Sequence, residues 1–373
     1  MIVGVPKEIK DNENRVAITP DGVFELAHHG HSVLIQAGAG EGSRFADAEF
    51  VEAGATIVPT AADVFAGADL IVKVKEPIPA EYGLFKEGQQ LFTYLHLAAD
   101  EQQTRFLLER KIDAIGYEVV QTADGRLPLL APMSEVAGRM AVQAAAHHLE
   151  SPRGGAGILL GGVPGTPAAK VTIIGGGVAG TEAAKIALGM RAITRVLDLN
   201  PARLAYLADF TGGRLDLVVP NRIRTAQYVA ESDVVIGAVL VPGAKTPKVV
   251  TREMIASMRP GSVVVDIAID QGGCFETSRP TTHANPTYVE EGVIHYCVAN
   301  IPGAVARTST LALTASTLPY LVQVADKGIR GAAKANPALY AGLSTLGGQL
   351  VSAPVGEAHG IDVVDPQGLR INS

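Results

Sequence analysis

The run Lys170-Val-Thr-Ile-Ile-Gly175-Gly176-Gly177-Val178-Ala179-Gly180 joins an apolar strand to an alanine-rich helix through the spacing G-x-G-x-x-G. That spacing suits a dinucleotide. Gly175 permits the tight turn, Gly177 lets backbone approach a pyrophosphate, and Gly180 lets the helix lie close on its strand. At the helix start, around Val178 and Ala179, unpaired N–H groups and the positive end of the dipole attract phosphate. Asp198 ends the next strand, 18 residues beyond Gly180. A carboxylate there binds ribose hydroxyls and repels a 2'-phosphate, so NAD is expected over NADP, with the nearby cation Arg203 arguing the other way.

Such a site needs parallel strands that all end on one side. In the first third of the chain, residues 2–5, 32–36, 55–58, 70–74 and 114–117 read as strands, and 21–29, 47–53 and 61–65 as amphipathic helices. Residues 133–149 read as a long alanine-rich helix with Ser134 at its N-cap, and 151–169 as a Gly- and Pro-rich loop or hairpin. A second series runs from there, with strands at 170–174, 194–198, 216–219, 234–237, 262–266 and 293–298 and helices at 178–190 and 201–210. Strands alternating with helices predict α/β architecture: two Rossmann-like domains with mostly parallel sheets, separated by a cleft. An apolar helix at 305–323 carries the chain onward, and the residues beyond 323 can rejoin the first domain.

A chain of 373 residues suits two domains, and 47% hydrophobic with 18% charged residues is a globular balance. A net charge of -7 argues against a nucleic-acid partner and is silent about small anionic ligands. Cys274 and Cys297 have no metal-ligand spacing, so neither a metal site nor a disulfide scaffold is implied. Gly, Pro and charged residues break the apolar runs well short of a membrane span, and charges come directly after the first strand. A cytoplasmic setting is expected.

Six blocks, in order, resemble the alanine dehydrogenases, which are related to the N-terminal part of the nicotinamide nucleotide transhydrogenase alpha subunit. They are Pro6-Lys-Glu-Ile-Lys-Asp-Asn-Glu-Asn-Arg-Val-Ala-Ile-Thr-Pro20, Val72-Lys-Val-Lys-Glu-Pro77 and Leu91-Phe-Thr-Tyr-Leu-His-Leu97, then Leu130-Ala-Pro-Met-Ser-Glu-Val-Ala-Gly138, Asp266-Ile-Ala-Ile-Asp-Gln-Gly-Gly273 and Val298-Ala-Asn-Ile-Pro-Gly303. The resemblance implies a discontinuous substrate-binding domain, 1–130 plus 304–373, around an NAD domain at 131–303. It also implies NAD-dependent interconversion of L-alanine with pyruvate and ammonium, by a homo-oligomer, a hexamer above all, with the helix at 305–323 a candidate interface. Without membrane-length apolar runs, a free-standing dehydrogenase is expected rather than the transhydrogenase.

The resemblance also distributes roles. Arg15 and Lys75 bind the substrate carboxylate, the guanidinium as a two-pronged clamp and the lysine as a point charge. His96 is the acid/base, and Asp270 orients the hydrolytic water and meets the substrate nitrogen. His96 and Asp270 are expected to face each other across the cleft. Met133 and Ser134 lie near nicotinamide or phosphates, Val298 and Asn300 beside the nicotinamide, and Val239 or Leu240 near the ribose. Taken locally, each has a plainer reading. Arg15 is a solvated charge, Lys75 a strand-end charge, His96 a hydrogen-bonded core or loop histidine, Asp270 an Asx turn, Met133 a core side chain and Asn300 a turn residue. Two other functions compete: a non-catalytic NAD-binding protein, and another amino-acid dehydrogenase such as a saccharopine-type enzyme.

Overall fold

The computed structural model describes residues 1–239 and 246–366. Its strands, in chain order, are β1 (Ile2–Val5), β2 (Ser32–Gln36), β3 (Thr56–Val58), β4 (Leu70–Val72), β5 (Gln90–Thr93) and β6 (Asp113–Gly116), then β7 (Lys170–Ile174), β8 (Ile193–Leu197), β9 (Asp216–Val218) and β10 (Val234–Gly237), and finally β11 (Val263–Asp266), β12 (Thr287–Glu290), β13 (Val293–Tyr296), β14 (Leu343–Leu346) and β15 (Gln349–Leu350). The chain divides into two compact units, Met1–Met133 with Val305–Ser373, and Ser134–Ala304.

In the first unit the sheet order is β15-β14-β6-β5-β4-β1-β2-β3. From β3 to β6 all neighbours are parallel, and the late strands β14 and β15 add an antiparallel edge. In the second unit the order is β12-β13-β11-β10-β7-β8-β9, parallel except where β12 meets β13. Counting only the mutually parallel strands of each unit, both runs have the doubly wound order 3-2-1-4-5-6. The order reverses between β1 and β4 in one sheet and between β7 and β10 in the other. A crevice opens beyond the strand ends at such a reversal, and there ligands bind.

Composition explains the burial. β4, β10 and β11 are Leu-Ile-Val, Val-Val-Ile-Gly and Val-Val-Val-Asp, buried throughout as strands covered on both faces must be. Each such apolar side chain contributes about 1.5–3 kcal/mol on leaving water. The first helix, Pro20–His28, starts where the Thr19 side chain accepts the Gly22 N–H and Pro20 has no N–H to leave unpaired.

The structure departs from the sequence expectation at several elements. Ser134 is not an N-cap: its helix begins three residues earlier, spanning Ala131–His148, because Pro132 fits a first helical turn. The last long helix runs Ala306–Ala335 and breaks its helical backbone at Gly328. The helices Glu101–Glu109 and Arg222–Glu231 are new, since charged residues interrupt their apolar stripes. The strand β5 is also new, a short run that its neighbours β4 and β6 hold in place.

Candidate active site

In the first unit, the chain leaving β1 and the chain leaving β4 supply charged groups at the strand-order reversal. Arg15 is only 3% exposed, so it is not the solvated charge that its polar neighbours suggest. Its Nε and Nη2 donate to the two Glu13 oxygens at 2.7 and 2.6 Å. The two-pronged grip expected for the substrate is thus closed on Glu13 at that edge. Nη1 lies 3.0 Å from Met133 Sδ, a weak acceptor. Burial alone would raise the Glu13 carboxyl, but hydrogen bonds and charge from Arg15, then the charge of Lys75, hold it below its ordinary value. Burial disfavours the Arg15 charge and Glu13 more than restores it.

Lys75 is half-buried beyond β4. Glu13 and Glu76 both feel its charge, yet its ammonium makes no ion pair or hydrogen bond among the described residues. Its backbone is fixed on both sides: the N–H donates to Glu8 at 3.3 Å, and the carbonyl accepts from Thr93 Oγ1 at 3.1 Å. A half-buried cation without a partner among the described residues, acting with a buried guanidinium on the same Glu13, can receive a small carboxylate.

His96 stands beyond β5, exposed, with φ of 50° in the left-handed region. That backbone costs a non-glycine residue about 1–2 kcal/mol. Glu118 sustains it by accepting the Leu95 and His96 N–H groups, the latter at 2.7 Å. The imidazole lies parallel to the Tyr94 ring, 5.8 Å between centroids. Tyr94 is fixed in turn by donating to the Leu129 carbonyl at 2.6 Å. Burial pushes the Tyr94 phenol far up, so it stays protonated at neutral pH. The ring of His96 is therefore presented on a rigid corner, which is where a proton-transfer group is useful.

In the second unit, the glycine turn comes directly after β7. Gly175 has φ of 100°, and a Cβ there would sit 2.6 Å from the Ala238 carbonyl oxygen beyond β10. At Gly180 a Cβ would fall 1.8 Å from the Gly175 oxygen, so only glycine lets the helix Val178–Gly189 begin so near its strand. A Cβ on Gly177 would meet nothing within 4 Å: open space lies against the helix start, the cradle a pyrophosphate fills. Asp198 accepts the Gly176 N–H at 2.6 Å and the Asn200 N–H at 2.8 Å. Arg203 bends back over the turn, donating to the Gly176 and Gly177 carbonyls and to Thr181 Oγ1. These residues fit a dinucleotide, with backbone donors for phosphate and a carboxylate at the end of β8.

Asp270 is exposed on the short turn Ile269–Gln271 beyond β11. That turn is organised by Asp266, which is wholly buried. Its carboxylate accepts N–H groups of Ala268 at 3.1 Å and Cys274 at 2.9 Å, and the Ser278 hydroxyl at 2.5 Å. Burial raises the Asp266 carboxyl, and these bonds pull it partly back. Lys248 closes the loop's far side by donating to the Gly272 and Phe275 carbonyls.

The remaining candidates occupy a range of environments. Met133 is buried against Arg15, and Ser134 is half-buried within its helix. Val239 is half-buried just beyond β10. Val298 is fully buried in the core, which leaves its backbone as the part able to meet a ligand. Asn300 is a turn residue with φ of 69°, its carbonyl 3.0 Å from His283 Nε2. Leu240 lies outside the described residues.

Sequence reasoning passes over Glu8, Glu13, Lys73, Glu118 and Asp266. A signal existed for two of them: Lys73 and Asp266 are charged residues inside or ending apolar strand runs. Among the described residues no group of His, Cys, Asp and Glu is arranged to hold a metal, and no helix is long and apolar enough to cross a membrane.

Two family models match the chain: "Alanine dehydrogenase/PNT, N-terminal domain" over residues 4–137, and "Alanine dehydrogenase/PNT, C-terminal domain" over residues 141–353. The chain is 58% identical over 360 residues to an alanine dehydrogenase of Methanococcus maripaludis, covering 96% of each chain. Its fold is similar to that of a solved L-alanine dehydrogenase, with a TM-score of 0.93 and 49% identity over 96% of this chain and 99% of the other. A transhydrogenase from Sinorhizobium meliloti is more distant, with a TM-score of 0.80 and 28% identity over 95% of this chain and 99% of that one.

Proposed function

This chain belongs to the alanine dehydrogenase/PNT family, and on that premise we propose that it catalyses the NAD-dependent oxidative deamination of L-alanine to pyruvate and ammonium, and the reverse reductive amination. The observation that supports this most directly is the pair of cations beyond β1 and β4, buried Arg15 and Lys75, the latter unpaired among the described residues. A non-catalytic nucleotide-binding protein has no use for a small-carboxylate receptor of this kind.

Lys75 and the Nη1 side of Arg15 hold the substrate carboxylate, which outcompetes a thioether for the guanidinium. His96 takes a proton from the ammonium of alanine, and in the reverse direction returns one. Asp270 orients the water that attacks the imine carbon. Gly175, Gly177, Val178, Ala179 and Gly180 cradle the pyrophosphate, Asp198 takes the ribose hydroxyls and Arg203 braces the turn. Met133, Ser134, Val239, Val298 and Asn300 complete the cofactor's surroundings, with Leu240 in the same role by resemblance. When bound, NAD accepts the hydride from the substrate Cα and NADH returns it. NAD is favoured over NADP because the Asp198 carboxylate is in place at the end of β8.

A homo-oligomer, a hexamer by resemblance, completes the reading. The exposed side of the helix Ala306–Ala335, where Leu311 is 46% exposed, is the proposed contact. Light scattering of the purified protein measures the assembly. The activity is tested by monitoring NADH with NAD, or NADP, and a panel of amino acids. Alanine should be the fastest substrate and NAD the better coenzyme. No NADH from alanine, by protein shown to bind NAD, ends the proposal.

A further inference from the structure

Lys73 is 1% exposed, which is unusual for an ammonium. It stands directly after β4 at the strand-order reversal, two positions before Lys75. Its Nζ donates to Glu81 Oε1 at 2.7 Å and to Glu8 Oε2 at 3.1 Å. The second oxygen of each glutamate grips backbone: Glu8 Oε1 accepts the N–H groups of Val74 at 2.6 Å and Lys75 at 3.3 Å, and Glu81 Oε2 accepts the Ile78 N–H at 3.0 Å. One buried ammonium thus bolts together two carboxylates that clamp both ends of the segment bearing Lys75. Burial disfavours the Lys73 charge, but Glu8 and Glu81 hold it firmly protonated.

The cost of this arrangement argues for a purpose. A buried charge loses its hydration, and an apolar side chain would fill the end of β4 without that loss. What the apolar side chain would not do is occupy Glu8. Arg15 feels the charge of Glu8, and the Lys75 N–H lies against it. Without Lys73, Glu8 is a buried carboxylate with its counter-charge removed, still acting on Arg15.

We propose that Lys73 is a positioning residue: it neutralises the Glu8 carboxylate beside the substrate-binding cations, and through Glu8 it fixes the backbone from which Lys75 meets the substrate carboxylate. The inference rests on the alanine dehydrogenase reading of the same site. It adds a residue that touches neither substrate nor cofactor.

The test is steady-state kinetics of Lys73→Met, Glu8→Ala and the double variant Lys73→Met/Glu8→Gln beside the wild type, with NADH affinity read by fluorescence. Lys73→Met should raise KM for alanine and pyruvate about tenfold or more, with kcat within about threefold and NADH affinity unchanged. The double variant removes the competing charge but keeps an amide oxygen for the Val74 N–H, and should recover most of the lost KM. Glu8→Ala leaves Lys73 paired with Glu81 but frees the Lys75 backbone, so KM should rise with it as well. It decides the question if Lys73→Met does not fold. Native KM in a folded Lys73→Met or Glu8→Ala variant overturns the proposal, as does a double variant no better than the single one. So does a loss confined to thermal stability. A wild type that does not turn over alanine or bind pyruvate fails the parent reading first, which separates the two failures.

Discussion

Glu13 and Arg15 face each other through two charge-assisted hydrogen bonds of 2.6 and 2.7 Å while both are buried. The pair sits two residues apart in sequence, in the loop beyond β1, and Met133 closes over Arg15 from far along the chain. Substituting glutamine for Glu13 keeps the shape and removes the charge. Hydrogen bonds to charged groups contribute about 1.5–3 kcal/mol, so KM for alanine should rise at least about tenfold in Glu13→Gln. Unchanged KM would show that the pair is packing alone.

The same pair sets an acid limit on stability. Glu13 is held below its ordinary value of 4.5 when folded. Its contribution is therefore fully present above that ordinary value and is lost as pH falls through the lower folded one. Urea midpoints of the wild type and Glu13→Gln should differ most near neutrality and converge in acid. A difference that grows toward acid would reverse the assignment.

His96 separates strain from chemistry. His96→Ala should lower turnover by about 10²–10⁴-fold, the usual range for a lost acid/base, with NADH still bound. At φ of 50° glycine is the relaxed residue, so His96→Gly should be more stable than His96→Ala by about 1 kcal/mol while equally inactive. Calorimetry and turnover on the same two proteins check both halves.

The glycine turn offers a matched contrast. At Gly180 a Cβ would collide with backbone at 1.8 Å, so Gly180→Ala should cost about 1–3 kcal/mol of stability and lose nucleotide. A Cβ on Gly177 points into open space at φ of -63°, ordinary for any residue. Gly177→Ala should fold and melt normally, yet bind NADH about tenfold or more weakly because the methyl occupies the phosphate's place. Normal affinity in Gly177→Ala would place the pyrophosphate elsewhere.

Asp266 should matter more than its distance from the solvent-exposed Asp270 suggests. Asparagine replaces an acceptor oxygen with a donor that faces N–H groups and a hydroxyl. Asp266→Asn should cost about 1–3 kcal/mol and speed hydrogen exchange across residues 267–275. Exchange protection equal to the wild type would remove Asp266 from the account.

Much of this protein was readable in one dimension because its determinants are local. Gly175, Gly177 and Gly180 act within a single strand-to-helix turn, and Asp198 ends the strand after it. Their spacing is their mechanism. Runs such as Val234 to Gly237 declare a strand buried on both faces without reference to any partner. Six ordered blocks carried the family likeness for the same reason, since five are short segments at a strand end and the other, residues 130–138, opens a helix.

Only the folded chain decided which charges leave water and whom they meet. Arg15 reads as a surface charge among polar neighbours, yet it is buried, and the clamp expected for substrate is engaged by Glu13. Lys73 and Lys75 share one strand end and the same chemistry; one is locked between Glu8 and Glu81 and the other has no ion partner among the described residues. Glu8 and Lys73 lie far apart in the chain and close in space. The pairing of a buried charge depends on distances and desolvation that arise once sheets have assembled, and no residue's type or spacing encodes them by itself.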